Sequence, residues 1–127
     1  MRNLLIILFT IASVAVIAQR QNAITTNTTS GRYEIVQSKL MRSLTFKIDK
    51  HYGDVYLYDE SLNDSTVWFC IPREIIESDT IIKDQINYQL YLGGYVARDC
   101  FLLNLNNGLT WVFSQDEDNK YVFNLVR

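Results

Sequence analysis

The sequence predicts an all-β protein, an antiparallel meander of about eight strands made from two four-stranded repeats. Three observations lead to this fold class. The chain repeats itself with a period of 55 residues, short segments are rich in β-branched and aromatic residues, and turns rich in Asp, Asn and Gly separate these segments. Connections this short join antiparallel strands, because parallel strands need long crossovers.

The first 18 residues are predicted to be a secretory signal peptide. Arg2 supplies a positive side chain, and residues 4–18 (LLIILFTIASVAVIA) form an uncharged, mostly apolar run with a cleavage pattern after Ala18. Fifteen residues of helix span about 22 Å, which is too short for the ~30 Å hydrocarbon core. We therefore expect export to the periplasm or the extracellular space, with no transmembrane span after cleavage. An uncleaved anchor is the alternative.

The rest of the chain is predicted to be a tether followed by a single β-domain. Residues 19–31 (QRQNAITTNTTSG) are polar and are expected to form a flexible N-terminal tether. The β-domain at 32–127 contains repeat units 33–71 and 88–126, joined by a connector at 72–87 that carries the chain from one sheet to the next. Four identical pairs anchor the alignment of the two units: Tyr33 with Tyr88, Phe46 with Phe101, Gly53 with Gly108 and Val67 with Val122.

Each unit contains four predicted strands. Leu44–Ile48 alternates apolar and polar residues, and Asp54–Tyr58 is rich in β-branched and aromatic residues, so both are expected to be half-buried strands. The predicted strands cover residues 33–37, 44–48, 54–58, 66–71, 88–92, 100–103, 109–113 and 120–126.

Eight meander strands either close into an up-and-down barrel or pack as a sandwich of two four-stranded sheets, and the sequence permits both. In either arrangement one face of each strand points toward the core. The side chains that we expect in the core include Tyr33, Ile35, Phe46, Ile48, Trp68 and Trp111.

The segment Phe46–Tyr56 reads Phe-x-x-Asp-x-x-x-Gly-x-x-aromatic, and Phe101–Trp111 repeats it with Asn104 in place of the Asp. This pattern resembles the strand–turn–strand element of β-propeller blades, especially quinoprotein-like ones, and small uncharacterised secreted or envelope bacterial proteins. The Thr that commonly precedes the glycine is replaced by Tyr52 and Asn107. Two units are also too few for a propeller, which has about four to eight blades. The resemblance therefore implies local hairpins and carries over no cofactor and no catalytic residue.

Asp49, Gly53, Asn104 and Gly108 are predicted to be structural turn residues. Asp49 and Asn104 occupy equivalent positions, and an amide cannot act as a general base. Both side chains carry an oxygen that accepts backbone N–H groups in a turn, and glycine tolerates the positive φ of a hairpin tip. A structural role is favoured over a catalytic carboxylate.

Composition and charge exclude several classes of site. Twelve Lys and Arg against fourteen Asp and Glu give a net charge of −2, which argues against a binder of nucleic-acid phosphates. His51 is the only histidine, so a multi-histidine zinc site is excluded. The acidic turns around Asp59 and Asp116 lack the spacing of a calcium loop. We expect no metal, no cofactor and no catalytic residue.

Cys70 and Cys100 are the only cysteines. In an oxidising compartment an even number permits one disulfide, which would close a loop of about 30 residues and contribute roughly 3–4 kcal/mol. Two buried free thiols are the equal alternative, because neither cysteine has a cysteine counterpart in the other unit. A cysteine nucleophile is disfavoured, since no histidine flanks either residue.

Aromatic residues are unusually abundant, with eight Tyr, six Phe and two Trp in the chain. Tyrosines outside the core are candidates for a binding surface, because their rings stack on sugars or anchor protein partners. The candidate residues are Tyr52, Tyr56, Tyr58, Tyr91 and Tyr95.

These features lead us to expect a non-catalytic binding or interaction module of the cell envelope or extracellular space. The expected partner is another envelope or extracellular protein, met through a sheet edge or an aromatic face, or a glycan. The alternative is a small-ligand or carbohydrate-binding barrel or sandwich. A hydrolase is disfavoured, because the acidic turns do not form a buried, pKa-tuned pair of carboxylates in the sequence pattern.

Overall fold

The computed structural model describes five ranges of the chain, 23–24, 31–38, 44–59, 67–93 and 99–127. The predicted signal peptide lies outside these residues. Within these five ranges, nine strands follow one another in chain order: β1 (Ala23–Ile24), β2 (Tyr33–Gln37), β3 (Thr45–Asp49), β4 (Asp54–Asp59), β5 (Val67–Ile71), β6 (Tyr88–Leu92), β7 (Cys100–Asn104), β8 (Thr110–Gln115) and β9 (Tyr121–Leu125).

The strands form two antiparallel sheets, which confirms the predicted all-β meander. The first sheet has the order β2-β3-β4-β5, and the second has the order β6-β7-β8-β9 with the two-residue β1 added beside β6. The sheets are not closed into a barrel, so of the two arrangements left open the sandwich is the one consistent with the structure. Part of the predicted tether is thus paired, since Ala23 lies opposite Leu92. No helix among the described residues is long and apolar enough to cross a membrane.

The strand registers reproduce the sequence repeat. Lys47 lies opposite Tyr56 in the first sheet, and 55 residues later Leu102 lies opposite Trp111 in the second. The same correspondence holds at the outer strands, where Tyr58 faces Trp68 and its counterpart Phe113 faces Phe123. Each unit is therefore one four-stranded meander, and the two meanders have the same register.

The two units bury opposite faces. Phe46 and Ile48 of the first sheet are fully buried, whereas their counterparts Phe101 and Leu103 are partly exposed. Conversely, Trp111 is fully buried and its counterpart Tyr56 is partly exposed. The units therefore stack in the same direction, with one face of the first sheet packed on the other face of the second.

This stacking corrects three expected core positions. Tyr33 and Ile35 are 57% and 64% exposed, and Trp68 is partly exposed, although Phe46, Ile48 and Trp111 lie in the core as expected. The reason is cross-strand register, because residues directly opposite each other share a face. Ile35 lies opposite Lys47 on the outer face, while Val36 lies opposite Phe46 and takes the core position.

The connector between β5 and β6 is irregular and carries the chain from the first sheet to the second. Its start runs beside β9, where Arg73 forms an isolated parallel bridge with Phe123. The Phe123 N–H donates to the Pro72 carbonyl at 2.9 Å, and the Glu74 N–H donates to the Phe123 carbonyl at 3.0 Å. These bonds pair part of the edge of the second sheet and hold the connector over the end of the sandwich.

Candidate functional site

The outer face of the first sheet is the most aromatic partly exposed surface among the described residues. Alternate residues of β2 to β5 point away from the core there, because successive side chains of a strand alternate between its two faces. This outer face includes Tyr33, Ile35, Lys47, Tyr56, Tyr58 and Trp68, together with Gln37, Thr45, Asp54 and Cys70.

A lysine is fixed at the centre of this outer face. The Lys47 ammonium lies 4.5 Å from the centroid of the Tyr56 ring and 4.9 Å from that of Trp68. The Tyr58 and Trp68 rings are tilted against each other with centroids 5.4 Å apart. Cation–π contacts of this kind contribute about 0.5–1 kcal/mol each at exposed sites. Together they order a positive charge within an aromatic cluster.

Arg32 extends this surface to the hairpin tip between β3 and β4. Its guanidinium lies 5.0 Å from the Tyr33 ring centroid and 4.9 Å from that of Tyr52, which is 44% exposed. The guanidinium also donates to Asp49 Oδ2 at 2.6 Å. Tyr52 therefore borders the outer face through a shared cation.

Asp49 and Asn104 begin equivalent turns. Asp49 Oδ1 accepts the His51 N–H at 3.0 Å, and Asn104 Oδ1 accepts the Asn106 N–H at 2.8 Å. Gly53 and Gly108 close these turns with φ of 76° and 77°, in the left-handed region that favours glycine. All four predicted turn residues thus lie at the beginning or the end of these two turns.

Asp49 differs from Asn104 in its charge and its ion pair. Burial alone would raise the pKa of the Asp49 carboxyl, but hydrogen bonds from the Arg32 guanidinium and the His51 N–H hold this pKa below its usual value. A lowered carboxyl pKa stabilises the fold above the ordinary pKa of 3.8, and this contribution is lost as pH falls through the lowered value.

Replacement of Asp49 separates the turn from the ion pair. We expect Asp49→Asn to lose about 1 kcal/mol of unfolding free energy, because the amide keeps the turn acceptor that Asn104 shows and loses only the charge. Asp49→Ala is expected to lose about 2–3 kcal/mol, since the His51 N–H then lacks its acceptor. Urea unfolding measures both. Equal losses in the two variants would contradict the turn role.

The structure separates the predicted tyrosines. Tyr52, Tyr56 and Tyr58 lie on or beside the outer face of the first sheet, whereas Tyr91 lies on the second sheet, with its ring centroid 6.3 Å from that of Phe101. Tyr95 lies outside the described residues. The outer face of the second sheet includes Tyr91, Phe101, Leu103, Thr110, Val112 and Val126, together with Gln89, Ser114, Val122 and Asn124.

A polar cluster that no sequence pattern predicts lies between the connector and the second sheet. Asp79 Oδ2 accepts the Tyr88 hydroxyl at 2.7 Å and pairs with Arg73 Nη1 at 3.0 Å. Asp79 Oδ1 accepts Asn104 Nδ2 at 2.6 Å. The Arg73 guanidinium lies between the Tyr88 and Trp111 rings, 4.9 and 4.7 Å from their centroids. No local motif marks these contacts, which join residues as many as 38 positions apart.

The contacts of this polar cluster hold the connector against the second sheet. Burial raises the pKa of Tyr88 to about 12, even though the Arg73 guanidinium acts in the opposite direction. The Trp111 Nε1–H donates to the Glu74 carbonyl at 3.0 Å, so the largest core side chain also anchors the connector. Each contact ties the irregular segment to the buried face of the second sheet.

Both cysteines are free in the structure, and of the two buried free thiols that the second alternative expects only Cys100 is buried. Cys70 is exposed on the first sheet and Cys100 is buried in the second. The stacking of the units separates the two residues, because Cys70 lies on the outer face of the first sheet and Cys100 lies on the core face of the second. Burial raises the pKa of both thiols. A raised thiol pKa reduces the thiolate fraction and hence the nucleophilicity of the sulfur.

The other titratable candidates serve turns. His51 lies at the partly exposed hairpin tip, where its carbonyl accepts Asn87 Nδ2 at 2.9 Å. Asp116 Oδ1 accepts the N–H groups of Asp118 and Lys120 at 2.9 and 2.8 Å. Within the described ranges, no group of three or more His, Cys, Asp or Glu side chains is arranged to hold a metal ion.

Comparison with known proteins adds no assignment to this geometry. No family model matches the chain, and neither the curated proteins nor the solved structures contain a match.

Proposed function

We propose that the chain is an exported small β-domain that acts as a non-catalytic binding module of the cell envelope or extracellular space. The observation that carries this proposal is the outer face of the first sheet, where Tyr33 and Ile35 are 57% and 64% exposed beside the aromatic cluster around Lys47. Contiguous apolar surface of this kind is typical of interaction sites. The signal-peptide pattern of residues 1–18 supports export.

The geometry of the cluster favours a protein as partner over a glycan. A sugar stacks flat on an open aromatic ring, whereas the Lys47 ammonium lies over the rings of both Tyr56 and Trp68, and Trp68 is tilted by 59° against Tyr58. Clustered Tyr and Trp side chains beside a cation are typical of the residues that dominate protein–protein binding energy.

The non-catalytic part of the proposal is supported by the roles of the titratable groups. Asp49 begins a turn and Asp79 anchors the connector, so both carboxylates already have structural partners. Burial raises the pKa of the Cys70 and Cys100 thiols, which makes each a poorer nucleophile.

A capture experiment tests this function. The processed chain, which we expect to begin at Gln19, is tagged and incubated with an envelope extract of the cells that make it, and bound proteins are identified by mass spectrometry. We expect one enriched protein, and we expect the double variant Tyr56→Ser/Tyr58→Ser to lose at least nine-tenths of it, because loss of two central aromatics costs more than about 1.4 kcal/mol of binding.

The matched control is Ile75→Ser, which removes an apolar side chain that is 93% exposed on the connector and away from the outer face. We expect this variant to capture the protein as the wild type does. All variants must show the wild-type urea midpoint. Equal capture by the double variant and the wild type would contradict the proposed surface, and binding to a glycan array in the absence of any captured protein would favour the carbohydrate-binding alternative.

A further inference from the structure

The packing between the two units supplies a template for a second interface. In the internal interface, one face of the first sheet packs on the opposite face of the second, and Phe46 meets Phe113 edge to face with ring centroids 5.4 Å apart. The first sheet contributes Val36, Phe46, Ile48, Val55, Leu57 and Ile71. The second sheet contributes Tyr88, Leu90, Leu92, Cys100, Leu102, Trp111, Phe113 and Phe123.

Each of these two faces has a counterpart on the outside of the described part of the sandwich, because the units stack in the same direction. The 55-residue repeat relates the first set to Tyr91, Phe101, Leu103, Thr110, Val112 and Val126, which lie on the outer face of the second sheet. It relates the second set to Tyr33, Ile35, Gln37, Thr45, Lys47, Tyr56, Tyr58 and Trp68, which lie on the outer face of the first sheet. Each outer face thus has the register of a face that is buried inside the chain.

Much of the apolar chemistry of the two buried faces is preserved on the outer faces along with the register. Five of six positions on the outer face of the second sheet and five of eight on that of the first are apolar or aromatic. The exceptions are Thr110 in place of Val55, and Gln37, Thr45 and Lys47 in place of Leu92, Cys100 and Leu102. In stacked repeat proteins the terminal units carry a polar outer face, which stops further stacking. Here the terminal faces are only partly polar. They leave Ile35 64% and Val126 51% exposed, where their counterparts Leu90 and Ile71 are 0% and 3% exposed.

From this arrangement we infer that copies of the chain associate head to tail, with the outer face of the second sheet of one copy packed on the outer face of the first sheet of the next. The inference rests on the proposed binding function of the outer face of the first sheet and names its partner as a second copy of this chain. An interface between two different faces is heterologous, so it continues into a ring or an open stack.

Analytical ultracentrifugation of the purified processed chain tests the inference. Two variants are compared with the wild type, and each places a negative charge on one of the two outer faces. Ile35→Glu blocks the outer face of the first sheet, and Val126→Glu blocks that of the second. We expect the wild-type mass to rise with concentration beyond two chains and each variant alone to remain a single chain. An equimolar mixture of the two variants is expected to double in mass, because each still carries the face that the other lacks.

The matched control is Ile75→Glu, which adds the same charge to the exposed connector and should associate as the wild type does. If either glutamate variant shifts the urea midpoint, Tyr58→Ser and Phe101→Ser replace them on the same two faces. A wild-type chain that stays single at every concentration overturns the inference. So does a dimer that only one of the two variants abolishes, since that result indicates two identical faces in contact.

The outcome separates this inference from the proposed function. A single-chain protein that captures a different protein through Tyr56 and Tyr58 overturns head-to-tail association and leaves the binding function in place. A tagged chain that captures its own untagged copy supports both. A chain that neither associates nor captures a protein contradicts both.

Discussion

Gly53→Ala is expected to destabilise the protein by about 3 kcal/mol, against about 1 kcal/mol for Gly108→Ala at the equivalent position. Both glycines have nearly the same φ, 76° and 77°, so the conformational cost of adding a Cβ is the same in both turns. They differ in their surroundings. A Cβ at Gly53 would lie 2.9 Å from three atoms of the Tyr88 ring, whereas nothing lies within 4 Å of one at Gly108.

The Tyr88 ring has little freedom to move away. It is fully buried, its hydroxyl donates to Asp79, and the Arg73 guanidinium lies against one side of the ring. Relief of the contact therefore shifts the hairpin tip relative to the second sheet. Urea unfolding of the two variants measures the difference, with the m-value as a check on two-state behaviour. Equal losses for Gly53→Ala and Gly108→Ala would contradict the packing of the first hairpin tip on Tyr88.

Asp79→Ala is expected to cost about 3–4 kcal/mol of unfolding free energy. The substitution removes the acceptor of the Tyr88 hydroxyl and of Asn104 Nδ2, and it leaves the Arg73 guanidinium without its carboxylate. The Arg73 and Asp79 side chains are only 19% and 11% exposed. Removing one member of a buried ion pair is costly because the remaining charge and polar groups lose their partners away from water.

Asp118→Ala provides the matched control for the loss of a carboxylate. Asp118 pairs with Lys120 at 3.5 Å, but both side chains are more than 70% exposed. Such surface pairs contribute about 0–1 kcal/mol, so we expect little change in the urea midpoint. A loss at Asp79 as small as that at Asp118 would show that the connector is not held by this polar cluster.

Local patterns in the sequence predicted the strands and turns well. The alternation at Leu44–Ile48, the 55-residue repeat and the Asp and Gly of the hairpin define local backbone conformations, which depend mainly on neighbouring residues. The structure accordingly contains the eight meander strands in the same register in both units. Asn104 at the position equivalent to Asp49 also indicates the turn role from the sequence alone.

The inward face of each unit was harder to predict. Both faces of the first sheet carry apolar or aromatic residues, so strand alternation identifies two faces without telling which one is buried. Tyr33, Ile35 and Trp68 were therefore expected in the core and lie on the outer face instead. Because both faces carry such residues, burial of one face leaves the other as the aromatic outer face on which the proposed function rests. The connector was unpredictable for another reason, because Asp79 acts through contacts made only after the sheets stack.

The most direct test of the central claim, that the protein acts by binding through the outer face of its first sheet, is the comparison of capture by the wild type and by Tyr56→Ser/Tyr58→Ser. The account requires one enriched protein with the wild type and with Ile75→Ser, and its loss with the folded double variant. Undiminished capture by the double variant, or the absence of any enriched protein with the wild type, would contradict the account.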